Sequence, residues 1–369
     1  MDACYVSVAN NDSFLQKYES VFKEPKCEAT LISLANYTLN NNQLSAKQII
    51  ERIQENTQNF KYVFIDSGGY QSKSGKLNQT NYKRHIKIYF NVLDLLPENW
   101  FIFSLDFPPD MHKSSIGITP DLSGKLTFET YSEIAKNYKQ LKDRLIIVTH
   151  FASTAIFWNW FKIFDALKQD LADFKYFATG MLTKNFRNPS IMPYYYGAKL
   201  FLKLHGIKPK KFHFLGTSSL NLLYPLFQDA EIEFKTFDAV IHTYTGQIST
   251  YYKNNTSKYV FDYLSVKKNS KFLLYAFIKE LETHLQDINL KNTIEQLLNS
   301  LNKRLPTELV ELLTMIQLHV NLQKAKLLVA NKVQKPKLDY NENLAEKYLN
   351  EIKTPEQLYA LMKYFDAIM

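Results

Sequence analysis

Apolar residues come in short blocks along the first three-quarters of the chain, with longer stretches of helical spacing between them. The blocks are Ala29–Asn36, Tyr62–Asp66, Trp100–Asp106, Leu145–His150, Tyr176–Met181, Phe212–Gly216, Phe237–Thr243 and Tyr259–Ser265. They are mostly unalternating and rich in Phe, Ile, Val and Leu, as parallel strands are when other layers cover both faces. Between them, Ser45–Phe60, Thr80–Leu96, Thr127–Arg144, Thr154–Leu171, Ile191–His205 and Leu220–Phe234 repeat apolar residues at helical steps. Ser45 and Gln48 stand at capping-box spacing, and Ala46, Ile49, Ile50 and Ile53 share the face that follows. Eight strands alternating with helices predict a (β/α)8 barrel of the TIM type over residues 1–269, with a doubly wound sheet as second choice. Beyond Ser270 the strand pattern stops. Lys271–Ile288, Thr293–Leu301, Glu308–Leu328 and Leu344–Phe365 read as amphipathic helices, so 270–369 is predicted to be a helical C-terminal region.

Composition narrows the class. Of 369 residues, 46% are hydrophobic, enough for a full core. No apolar run reaches the ~18–20 residues that cross a bilayer, and the start "MDACYVSVAN" lacks a basic-then-apolar leader pattern. Cys4 and Cys27 are too few for a disulfide framework or a thiolate zinc site. The expectation is a soluble cytoplasmic protein with no membrane partner, no metal and no cofactor. A net charge of +9 favours a polyanionic partner such as nucleic acid.

In such a barrel, chemistry sits where the strands end and the βα loops converge. Polar residues and glycines near the predicted strand ends are Asp66, Asp106, His150, Gly180, Gly216 and Asp238, although the predicted bounds put Asp238 near the start of its strand. Each acid taken singly also fits the N-cap of a following helix. Two carboxylates facing one ligand can divide the work, one as a nucleophile and one moving protons, as in glycosyl transfer with retention. The stretch "VFIDSGGYQS" (Val63–Ser72) adds bare backbone at Ser67, Gly68 and Gly69, suited to the edges of a flat heterocycle, and Tyr70 to stack on its face.

"DSGGYQ" (Asp66–Gln71) resembles the signature of the tRNA-guanine transglycosylase superfamily, whose core is a (β/α)8 barrel. "FHFLGTSS" (Phe212–Ser219) followed by "KTFDAVIHTYTG" (Lys235–Gly246) is similar to the family's glycine turn and nucleophile block. "FSLDFPPD" (Phe103–Asp110) and "YFATGML" (Tyr176–Leu182) resemble its base-recognition strand and base-binding turn. The likeness runs from about Ala29 to Tyr252. It implies Asp238 as the nucleophile at C1′ and Asp66 as general acid/base. It further implies Asp106 on the N1–H and 2-amino edge of the base, Gly180 N–H on O6, and Met181 near the 7-substituent. Tyr70 and Leu215 would sandwich the ring, with Gly216 in the turn beside it, and Thr149 or His150 would take the place of a base-binding glutamine.

Two departures separate the chain from the tRNA enzymes. No cysteine follows Cys27, so their zinc site is missing, and "HTYTGQ" puts Tyr244 and Gln247 where they carry arginines. Neither residue supplies a charged, planar fork for phosphate. The resemblance therefore implies the superfamily's DNA-modifying branch, found in phage and bacterial modification systems, which installs a 7-deazaguanine such as preQ0. A tRNA substrate is the alternative. Lys73, Lys76, Lys113, Lys184, Arg187, Lys253, Lys267 and Lys268 follow strand ends and are expected to ring the mouth for nucleic acid, whereas Lys208–Lys211 precedes a strand and belongs to the opposite face. A buried base would have to be flipped out to reach the mouth. Rival readings are a barrel glycoside or nucleoside hydrolase using the same acids, a metal-dependent hydrolase, which the absence of His-x-His and HExxH disfavours, and an inactive binding module.

Overall fold

The structure is a computed structural model that describes residues 2–7, 28–39, 44–110, 114–150, 154, 156–180, 195–216 and 220–239, with parts of 322–330 and 350–368. Eight parallel strands pair in chain order: β1 (Asp2–Ser7), β2 (Ala29–Ser33), β3 (Tyr62–Asp66), β4 (Trp100–Phe103), β5 (Leu145–Thr149), β6 (Tyr176–Thr179), β7 (Lys211–Phe214) and β8 (Phe234–Ala239). β1 returns to β8 and closes a barrel, with Val6 opposite Asp238 in the register.

Between the strands lie α1 (Ala35–Thr38), α2 (Ala46–Thr57), α3 (Gly69–Lys73), α4 (Tyr82–Asp94), α5 (Pro120–Asn137), α6 (Phe157–Leu171), α7 (Gly197–Leu204) and α8 (Leu220–Gln228). The predicted capping box is present at α2: the Gln48 N–H donates to Ser45 Oγ, and the Ser45 N–H donates to the Gln48 side chain. A C-terminal helix, α9 (Pro355–Ile368), lays Tyr359 against the rings of Phe157 and Trp158 on α6. Among the described residues, no helix is long and apolar enough to cross a membrane.

Several predicted bounds move. Tyr259–Ser265 lies outside the described residues, and Asp2–Ser7, absent from the predicted strands, holds a place in the ring. "DACYVS" is short and polar at both ends, so it carries too little apolar signal to register alone. β4 stops at Phe103 because Ser104 replaces the ladder with its side chain: Oγ accepts from Val148 N–H at 3.0 Å and donates to Tyr131 OH at 2.7 Å. α5 starts well before Thr127, at the Thr119 cap and Pro120, a helix-start pair that periodicity alone passes over. Most consequentially, β8 begins at Phe234 and ends at Ala239, so Asp238 stands near the C-terminal end of its strand. Of the predicted C-terminal helices, Leu344–Phe365 overlaps α9, Leu322, Ala325 and Leu328 of Glu308–Leu328 are buried at helical spacing, and Lys271–Ile288 and Thr293–Leu301 lie outside the described residues.

The core has two shells. One fills the space between strands and helices; the other fills the barrel with Ala29, Leu31, Phe64, Phe103, Ile146, Val148, Tyr176, Ala178 and Phe234.

Candidate active site at the barrel mouth

Alternate residues of a strand face the same side, so the inward phase can be followed from floor to mouth. It runs Ala29–Leu31–Ser33, Tyr62–Phe64–Asp66, Ile146–Val148–His150, Tyr176–Ala178–Gly180, Lys211–His213–Leu215 and Phe234–Thr236–Asp238. The apolar series therefore ends at the mouth in Ser33, Asp66, His150, Gly180, Leu215 and Asp238.

The "DSGG" turn has a physical reason for each glycine. Gly68 adopts φ +106°, a left-handed conformation, and a Cβ there would stand 3.0 Å from the Ala35 Cβ. A Cβ on Gly69 would sit 2.8 Å from Asp106 Oδ2, so this glycine lets the second acid come close. Beneath the turn, buried His85 takes a hydrogen bond from Thr38 at Nδ1 (2.6 Å) and donates from Nε2 to the Ser67 carbonyl (2.6 Å). Its burial pushes the imidazole pKa down to about 4, so it props the turn as a neutral ring.

Three carboxylates meet above it. Asp66 is enclosed by strand ends but keeps some surface toward the mouth. Loss of solvent pushes its pKa up to about 6, and the charges of Asp106 and Asp238 push the same way, while the Gly68 N–H pulls against them. The strand register puts the acids of β3 and β8 at the same end of the barrel, and the close approach of Asp106 to Gly69 brings the acid after β4 beside them.

Asp106 is 3% exposed. Its Oδ1 accepts from Ser67 Oγ (3.1 Å) and its Oδ2 from His150 Nε2 (2.6 Å). Of the two candidates for the glutamine place, His150 faces the site; the Thr149 hydroxyl donates outward to the Ala178 carbonyl at 2.9 Å. His150 lies so close to Gly180 that a Cβ there would fall 2.3 Å from the ring, which is why a glycine follows β6. Leu215 packs on the interior cluster, whereas Tyr70 on α3 is 62% exposed and stands clear of the buried part.

Asp238 is held by its own strand's surroundings. Oδ1 accepts from the Gly216 N–H (2.8 Å) and from His213 Nε2 (3.0 Å). Gly216 adopts φ +75°, which turns that N–H toward the carboxylate.

Four buried polar atoms of the described residues have no hydrogen-bond partner: Ser33 Oγ, Gln71 Oε1, His150 Nδ1 and Thr179 Oγ1. Ser33, Gln71 and His150 stand at the mouth or in the turn that follows β3, whereas Thr179 lies in the outward phase of β6. Buried orphans are rare because each costs about 1–3 kcal/mol, so the clustering of the first three at one end of the barrel fits a site that a ligand completes.

Of the predicted basic ring, Lys73 ends α3 and Lys76 is exposed just after it, both beside the mouth. Lys113, Lys184, Arg187, Lys253, Lys267 and Lys268, like Met181, lie outside the described residues. Lys210 and Lys211 lie at the opposite face as expected, Lys210 3.4 Å from Glu233 and Lys211 donating to the Asp143 carbonyl. The sequence reading missed His213, Thr236, Ser33 and His85. Following the inward phase back from Leu215 and Asp238 finds His213 and Thr236, whereas His85, on a helix, leaves no such trace. No protein-family model matches the chain, and neither a curated protein nor a solved structure matches it.

Proposed function

We propose that the protein exchanges guanine in a nucleic acid, DNA in preference to tRNA, for a 7-deazaguanine base through a covalent aspartyl-sugar intermediate. The observation that carries the reading is the pairing of Asp66 and Asp238 at one mouth. Asp66 changes protonation near neutrality, and Asp238 is braced by two N–H donors on one oxygen. Asp238 attacks C1′, the bond from C1′ to the base nitrogen breaks, and its electron pair leaves with the base. Protonated Asp66 supplies the proton that neutralises the departing guanine. The incoming base then gives its proton to Asp66 and attacks C1′, and the ester electrons return to Asp238. This is double displacement with one acid serving both halves.

The "DSGGYQ" and "KTFDAVIHTYTG" blocks support the choice of base and reaction, and the missing arginines around Tyr244 and Gln247 support DNA over tRNA. The test is incubation with preQ0 and either duplex DNA or tRNA, followed by digestion and mass analysis of nucleosides. Modified nucleoside from DNA is the expected result. Modification of tRNA alone overturns the choice of polymer, and release of guanine without incorporation converts the reading to a hydrolase.

A further inference from the structure

A file of polar groups crosses the barrel interior beneath Asp238, in a region otherwise filled by aromatic rings. Tyr176 OH lies 2.5 Å from Thr236 Oγ1, Thr236 Oγ1 lies 2.7 Å from His213 Nδ1, and His213 Nε2 lies 3.0 Å from Asp238 Oδ1. His213 is fully buried, its ring centroid 5.0 Å from Phe103 edge-on and 5.9 Å from Phe64. A polar ring in such a slot is tolerated only when both nitrogens are bonded.

Chemistry fixes the direction of the file. An ionised carboxylate only accepts, so the hydrogen between His213 and Asp238 sits on Nε2. In the neutral ring Nδ1 is then an acceptor, and Thr236 donates to it. Having spent its hydrogen there, Thr236 accepts from Tyr176. Every donor along Tyr176, Thr236 and His213 points toward Asp238.

The consequence concerns the two oxygens of Asp238. Oδ1 receives His213 Nε2–H and Gly216 N–H together. Resting on the proposed function, we infer that His213 is a positioning residue for the nucleophile. With the Gly216 N–H it engages Oδ1, so Oδ2 is the oxygen that bonds to C1′ and Oδ1 becomes the carbonyl oxygen of the sugar ester. When the second base arrives, the C1′–Oδ2 bond breaks, the electron pair returns to the carboxylate, and the same two donors receive the charge, as oxyanion donors do.

The test has one arm that needs no activity. Nitrogen NMR of protein carrying ¹⁵N-histidine should show His213 with its hydrogen on Nε2 and an acceptor Nδ1; an Nε2 without hydrogen overturns the inference whatever the enzyme does. In the second arm, the rate of covalent adduct formation on a guanine-containing oligonucleotide is followed for His213→Leu, His213→Gln and Thr236→Val. Leu removes the donor and should slow the adduct about 100-fold with KM nearly unchanged. Gln places an amide N–H near the Nε2 position and should recover at least about tenfold of that loss, which restored packing alone would not do. Thr236→Val keeps the shape, covers the case in which Leu fails to fold, and should weaken the NMR signature and slow the adduct several-fold. Adduct formation at the wild-type rate in a folded Leu or Val variant overturns the role. No adduct with wild-type protein, together with the expected NMR pattern, overturns the transglycosylase reading and the nucleophile assignment with it, leaving only the hydrogen-bonded file.

Discussion

The floor and the mouth of the barrel interior are built from the same strands by the same alternation, yet they are opposites. At the floor, Phe101 meets the rings of Tyr62, Phe64, Tyr176 and Phe234, with centroids 4.9 to 6.0 Å apart. At the mouth, two to four residues further along the strands, stand carboxylates, a histidine, glycines and an orphaned hydroxyl. Aromatic packing stabilises the ring, while like charges and unmet polar atoms destabilise it. The difference teaches that the fold's stability is concentrated away from its chemistry, so the two should respond oppositely to substitution.

The largest effect expected is Asp238→Asn, which should lower base exchange by about four orders of magnitude, as loss of a nucleophile does, without lowering the unfolding midpoint. Steady-state exchange and chemical denaturation on one preparation check both halves. At the floor, Phe64→Ala should cost about 3–5 kcal/mol in denaturant unfolding by leaving a cavity under Asp66. An unfolding energy lowered by less than about 1 kcal/mol would break the contrast.

Next comes the pH dependence. Asp66 has its folded pKa raised to about 6, so its contribution is fully present at low pH and lost as pH rises through 6. At pH 8 the ionised carboxylate costs at most about 3 kcal/mol, and Asp66→Asn should raise stability there while abolishing exchange. His85 has the opposite sign: its folded pKa of about 4 gives a contribution present above its unfolded value and lost as pH falls toward 4. Between roughly pH 6.5 and 4 the two slopes oppose each other in the wild type. Asp66→Asn should unmask a fall of up to about 3 kcal/mol over that window, measurable by denaturation at stepped pH.

The smallest expected effect is Gly180→Ala. The added Cβ forces the His150 ring away from its 2.6 Å bond to Asp106, with a stability loss of about 1–3 kcal/mol and weaker binding of free 7-deazaguanine, read by calorimetry.

Much of this fold was legible because parallel strands covered on both faces leave continuous apolar blocks. Seven of the observed strands were found from such blocks. β1 was not, since its six residues reach the barrel through backbone pairing with β8 rather than through an apolar pattern. At the site, Asp66, Asp106, His150, Gly180 and Gly216 were visible as polar or glycine punctuation at strand ends. The error in β8's bounds lay at its start, where Phe234, Lys235 and Thr236 were left out because the charged Lys235 interrupts the apolar block, and including them moves Asp238 toward the mouth end of the strand. His213 was hidden because a single histidine between two phenylalanines reads as core. Only the partners at each nitrogen, distant in sequence, give it meaning.

The seam between β1 and β8 sets an order of events in the making of the molecule. Asp238 is opposite Val6, so the strand bearing the proposed nucleophile settles against the first strand of the ring. Contacts so far apart in sequence form late. The nascent barrel must hold its opening strand half-paired until its closing one has been synthesised, and the Asp238 carboxylate takes its seat only when the ring shuts.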